Sequence, residues 1–193
     1  MKPFSASRLL LIALLLPVAA WAQRLDAPLS HGIDAREVQY FETHSFDAPV
    51  TRGETTPPDF DGLRTMAEWE EIEVLCVGWE GYSAIEKQIV VNAAQECQVI
   101  ILTSYGNDVE DYLTCNNNGG PAASLDNITI IDNPMNTVWI REYGPNTVDG
   151  NGEDDRIVVD WIYNRPRPAD DVSPQVIADE MGIDLYETTA NPY

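Results

Sequence analysis

Between Glu71 and Thr103 the chain passes from a short apolar run to a helix-like stretch and back to an apolar run. Strand, helix, strand in that order argues for an α/β layer arrangement. Ile72, Val74, Leu75, Val77 and Trp79 make the first run, bounded by Gly78 and Gly81, and its length and content fit a buried strand. Ser83 to Gln95 reads as a helix, with Ser83 and Glu86 at capping-box spacing and Ile85, Ile89 and Ala93 on one face. Cys97 to Thr103 is rich in β-branched residues and predicts the next strand.

The same reading continues downstream. Asp108 to Leu113 predicts a short helix that ends before the turn formers Asn116 to Gly120. Ile128 to Ile131, Val138 to Glu142 and Arg156 to Trp161 are strand candidates. Asp149 to Asp155 spaces oxygen ligands like the start of a calcium loop, but the sixth position is Asp154 where such a loop needs glycine, so a hairpin turn is expected. Ser173-Pro174 opens a last helix, Gly182 closes it, and Ile183 to Tyr186 predicts one more strand.

Residues 1–22 have the form of an export leader: Lys2 and Arg8 precede the apolar run Leu9 to Ala19, and Ala20-Trp21-Ala22 has a small-x-small cleavage pattern. The run falls short of the about 20 apolar residues that a membrane-spanning helix needs. The expectation is a secreted or periplasmic product without a membrane anchor after leader removal. Residues 23–60 are polar and without sustained period, and are read as an extended tail; the domain is placed at 61–193.

The 32 acidic residues outnumber the 11 basic ones, for a formal charge of −21, and losing the leader removes only basic groups. Such a surface repels nucleic acid and gathers cations, or serves solubility alone. Cys76, Cys97 and Cys115 match no zinc spacing, and with only His31 and His44 beside them no metal site is expected. In an exported chain Cys97 and Cys115 could pair, and the odd count leaves at least one thiol over.

The chemistry concentrates in VWIREYGPNTV, from Val138, and VVDWIYNRPRPADD, ending at Asp171. On a strand, Trp139 and Arg141 would share a face while Glu142 points to the other, until Gly144-Pro145 ends the element. A carboxylate such as Glu142 can hold a planar guanidinium by paired charged hydrogen bonds, and an indole such as Trp139 can lie against the cation. The plainer alternative makes Trp139 a core anchor and Arg141–Glu142 a charged strand edge. Arg165 and Arg167 alternate with Pro166 and Pro168, which should hold the run extended with both guanidinium groups to one side, a receptor for a carboxylate. Alternatively they pair internally with Asp160, Asp170 or Asp171.

The Trp-x-Arg-acid-Tyr-Gly-Pro run, the Tyr-Asn-Arg-Pro-Arg-Pro run and Met66-Ala67-Glu68-Trp69-Glu70 together resemble the guanidine-modifying deiminases, in particular the group holding agmatine deiminases and the bacterial peptidylarginine deiminases of the Porphyromonas type. The resemblance implies a pentein-type α/β propeller of ββαβ modules, of which this length holds about two of five, an amino-terminal portion. It implies Glu142, where the family has aspartate, as the acid on the substrate guanidinium, and Trp139 as a wall of the same pocket. Arg165 and Arg167 match the arginines that clamp the terminal carboxylate of an arginine peptide. The implied reaction, without cofactor, converts peptidyl or carboxy-terminal arginine to citrulline with release of ammonia; agmatine, or non-catalytic capture of arginine peptides or polyamines, are the alternatives. The family's histidine and nucleophilic cysteine follow the Arg-acid-Tyr-Gly-Pro run. Here no histidine follows His44 and no cysteine follows Cys115, so this stretch by itself is expected to be inactive.

Overall fold

The computed structural model describes residues 31–44, 53–67, 69–152 and 155–188. In chain order these carry helix α1 (Ala35–Thr43), strands β1 (Arg64–Thr65) and β2 (Val74–Gly78), helix α2 (Ser83–Ala93), strand β3 (Gln98–Thr103), helix α3 (Gly106–Thr114) and strand β4 (Ile128–Asp132). Helix α4 (Ile140–Tyr143), strands β5 (Asn146–Asp149) and β6 (Arg156–Asp160), helices α5 (Pro168–Asp171) and α6 (Ser173–Met181) and strand β7 (Asp184–Glu187) follow.

The strands form two sheets. In the first, β2, β3 and β4 run parallel, with β3 in the centre. Its apolar run is continuous because the strand is buried on both faces, as parallel strands usually are. Val99 and Ile101 face Trp79, Val90, Val109 and Leu113, while Ile100 and Leu102 face Met135, Tyr143 and Ile177. The second sheet has the order β1-β5-β6-β7, with β5 and β6 an antiparallel hairpin and β7 parallel to β6. The hairpin expected across Asp149 to Asp155 is therefore present.

Helix α6 joins the two sheets. Ile177 enters the core of the parallel sheet, and Ala178, one residue on, packs with Val158 and Leu185 of the second. Pro174 opens the helix, and Gly182 ends it at φ 64, a left-handed conformation that glycine adopts without a side-chain penalty.

Helix α2 lies rotated from the expected face. Its buried side chains are Glu86, Lys87 and Val90, whereas Ile85 and Ile89 are 52% and 48% exposed. No capping box forms: the cap is Tyr82, at φ 53, with no side-chain bond to the helix. The rotation is set by Lys87, whose ammonium donates to the carbonyls of Tyr112 (3.1 Å) and Cys115 (2.6 Å) and lies 3.5 Å from Asn117 Oδ1 and from the Gly120 carbonyl. A buried cation is tolerable only when paired or hydrogen-bonded, and these oxygens compensate it. The loop at 115–120 is consequently wrapped around a charge. Replacing Lys87 with Met keeps much of the volume but strands those carbonyls, so a loss of about 2 kcal/mol in unfolding free energy is expected by urea titration. A change within experimental error would show that the loop is held by other contacts.

Two further expectations are corrected. All three cysteines are free, so Cys97 and Cys115 form no disulfide. The stretch at 23–60 is not simply an extended tail: α1 is a nine-residue helix with a capping box, in which Asp34 accepts from the Glu37 amide and Glu37 from the Asp34 amide. Glu54 also joins the second sheet, donating its amide to the Leu185 carbonyl (3.0 Å) and accepting from the Glu187 amide (2.8 Å). Packing therefore begins before residue 61, because an unpaired edge of β7 finds backbone partners there.

Candidate functional site

Val138 to Glu142 is not a strand. Ile140 to Tyr143 make the single helical turn α4, which places Trp139 and Glu142 three positions apart and hence on neighbouring positions of one turn. A strand would have turned them to opposite faces. The turn is fixed from both ends. Tyr143 is buried and donates its hydroxyl to the Thr137 carbonyl at 2.8 Å, and Gly144, at φ 99, stops the helix in a conformation unfavourable for other residues.

The other side of this turn rests on Asp170. Its carboxylate, fully buried, accepts from the amides of Asn136 (2.8 Å) and Thr137 (3.0 Å) and from the Thr137 hydroxyl (2.7 Å). Asn136 returns the link, its Oδ1 accepting from the Ala169 amide at 2.9 Å. Burial raises the Asp170 pKa, against the opposing pull of those hydrogen bonds. Through this cluster the Trp139–Glu142 turn and the Arg165–Arg167 run become one unit.

Arg165 and Arg167 do project to one side, and they meet on one carboxylate. Arg165 donates to Glu37 Oε2 (2.7 Å) and Oε1 (3.3 Å), Arg167 to Oε1 (2.7 Å) and Oε2 (3.3 Å). Desolvation works against the Glu37 charge, but the hydrogen bonds from Arg165, the Asp34 amide and Arg167 outweigh it and hold the carboxyl below its ordinary range. The carboxylate shared by both arginines is thus supplied by α1, from a segment that nothing in the sequence places there.

The acid and the indole are contacted by the same segment. His31 Nε2 lies 2.6 Å from Glu142 Oε1, and its ring meets Trp139 edge-on with centroids 5.2 Å apart. Arg165 adds bonds to the carbonyls of His31 (3.1 Å) and Gly32 (2.9 Å). Tyr163 lies within electrostatic reach of both halves: burial first, then the charges of Asp170 and Glu142, push its hydroxyl up to about 12 against the pull of Arg167.

Chemically, the arrangement offers an acid with an indole beside it and a two-guanidinium fork, held by a buried anion. One half suits a planar cation, the other a carboxylate. A groove of about 920 Å³ beside Cys76 and Arg141 contains none of Trp139, Glu142, Arg165 and Arg167. Burial pushes the Cys76 thiol in that groove up to about 12, so it stays protonated at neutral pH and is a poor nucleophile.

No protein-family model matches the chain. Solved structures do. A crystal structure of a protein assigned as a peptidyl-arginine deiminase superposes with a TM-score of 0.51 at 15% identity, over 68% of this chain and 41% of that one. An assigned arginine deiminase from Porphyromonas gingivalis gives 0.51 at 13% identity, over 65% and 40%, and the C. jejuni agmatine deiminase 0.52 at 18%, over 70% and 42%. The chain has a deiminase-type α/β fold. It spans about two fifths of the length of these structures.

Within that fold, sequence reasoning missed Glu37 and His31, because their segment carries no apolar period. The one available signal was local: Asp34 and Glu37 have N-cap spacing, which marks a helix start. Of the early Met66 to Glu70 run, Trp69 is 89% exposed and Glu70 binds Arg64 and the Ala67 amide.

Proposed function

We propose that this chain supplies the substrate-holding portion of a guanidino-group hydrolase, exported, and acting on arginine with a free carboxylate. The observation that carries the reading is the pairing of Trp139 and Glu142 with the Arg165–Arg167 fork in one place, each half matched in charge to one end of such a ligand. Glu142 would hold and orient the guanidinium, Trp139 would cover its face, and the fork would take the carboxylate. In the reaction, a water oxygen replaces one guanidine nitrogen, which leaves as ammonia, and a ureido group remains. Attack on the guanidine carbon falls to groups other than these four.

The fork favours arginine over agmatine, which has no carboxylate. Calorimetric titration with N-acetyl-arginine, its amide and agmatine tests this. A preference of about 10–100-fold for the acid is expected, since a charged hydrogen bond is worth about 1.5–3 kcal/mol. Equal affinity for all three would overturn the carboxylate assignment, and binding of none would overturn the site. Glu142→Gln should weaken all three alike, because the guanidinium is the one charged group that all three carry.

A further inference from the structure

The segment from His31 to Glu37 fills both halves of the proposed site with one group of each required kind. His31 presents a planar, N–H-bearing ring to Glu142 and Trp139, where the guanidinium would lie. Glu37 presents a carboxylate to Arg165 and Arg167, where the terminal carboxylate would lie. Arg165 clasps the backbone between them through the His31 and Gly32 carbonyls. The Glu37 carboxylate is itself aimed by the capping box with Asp34.

We infer that this amino-terminal segment is an internal substrate mimic that keeps the site closed until ligand or partner displaces it. The inference rests on the reading of Trp139, Glu142, Arg165 and Arg167 as a site for a guanidinium-carboxylate ligand. The geometry sets the two halves of the latch apart in strength. The Glu37 side chain is 8% exposed and those of Arg165 and Arg167 are 10% and 4%, so this ion pair is dry and specific. The His31 side chain is 70% exposed on a Glu142 that is 26% exposed, so this contact is solvent-screened and opens first. The guanidinium of an incoming ligand would displace His31 before its carboxylate reaches the arginines. A ligand binding only the open form pays the fraction of time the latch is closed as a loss of apparent affinity.

Titration of the whole chain with N-acetyl-arginine, wild type against His31→Ala and Glu37→Gln, tests the latch. Each variant is expected to bind about tenfold more tightly than wild type, as for a site otherwise open about a tenth of the time. In wild type the ligand should also speed chymotryptic cleavage at Tyr40, which lies on the displaced helix α1 and is 42% exposed. His31→Ala disturbs no buried pair, so its result stands even if Glu37→Gln folds poorly for want of a partner to Arg167. Equal affinity in wild type and His31→Ala, with cleavage at Tyr40 indifferent to ligand, would overturn the latch and leave the guanidinium site standing. Failure of all three proteins to bind would remove the site itself, and the latch with it.

Discussion

Asp170→Ala is expected to lower the unfolding free energy by at least about 3 kcal/mol, because three donors lose one acceptor at once and each unsatisfied buried group costs about 1–3 kcal/mol. Those donors are the Asn136 and Thr137 amides and the Thr137 hydroxyl, and no solvent reaches Asp170 to replace it. The effect should extend beyond stability. Thr137 accepts the Tyr143 hydroxyl at its carbonyl and the Trp139 amide at its Oγ1 (3.4 Å), so the turn carrying Trp139 and Glu142 loses its register against the arginines. Asp170→Asn keeps one acceptor and the volume, and should recover part of the loss. Urea unfolding of the three proteins, with N-acetyl-arginine titration of each at low temperature, measures both effects. A destabilisation below about 1 kcal/mol would mean that the Asn136–Thr137 turn is held from elsewhere.

Glu86 carries the second large effect, with the opposite sign. It is 4% exposed, and both its carboxylate oxygens lack a hydrogen-bond partner among the described residues. Burial, with a smaller push from the Glu80 charge, raises its pKa from 4.5 to about 8. Below pH 4.5 the folded and unfolded chains both hold this proton, and Glu86 costs nothing through ionisation. As pH rises toward 8 the unfolded chain releases the proton while the folded chain keeps it, so stability falls by about 1.4 kcal/mol per pH unit. Above 8 the loss is complete, of the order of 5 kcal/mol. Glu86→Gln cannot ionise and should match wild type near pH 4.5 while exceeding it by about 2–4 kcal/mol at pH 8. Other groups titrate across the same range, so the quantity to read is the difference between the two proteins' urea midpoints at pH 4.5, 6 and 8. Parallel curves would show that Glu86 meets solvent or a partner when it ionises.

Much of the layering was legible in local pattern. A run such as Val99 to Leu102, apolar at every position, fits a strand covered on both faces, and Pro174 with Gly182 brackets a helix wherever it packs. The Arg-Pro-Arg-Pro run was legible only in part: both arginines do reach one side, but the chain bends at Arg165 and Pro166, and Pro168 opens helix α5, a first-turn position that the fixed backbone of proline also suits. Helix α2 was less legible. Its isoleucines predict an apolar face, yet the helix turns Lys87 inward because carbonyls of residues 112–120 wait there, and those oxygens come from a loop that no α2 periodicity describes.

By itself, then, the sequence determined the strand-helix-strand core, the turn leading into β6, the closing helix α6, and the residue types at Trp139, Glu142, Arg165 and Arg167, because these depend on period, turn chemistry and side chains within a few positions of one another. The strand before that turn, expected at Val138 to Glu142, lies instead at Asn146–Asp149. Only the tertiary structure decided that Trp139 and Glu142 share a helical turn, since that turn is held by Asp170 from more than 30 residues away. It alone brought Glu37 to Arg165 and Arg167, across 128 and 130 positions of sequence. Charge pairing over such separations has no local signature: any of the 32 acidic residues could meet two arginines, and the packing of α1 chooses which one does.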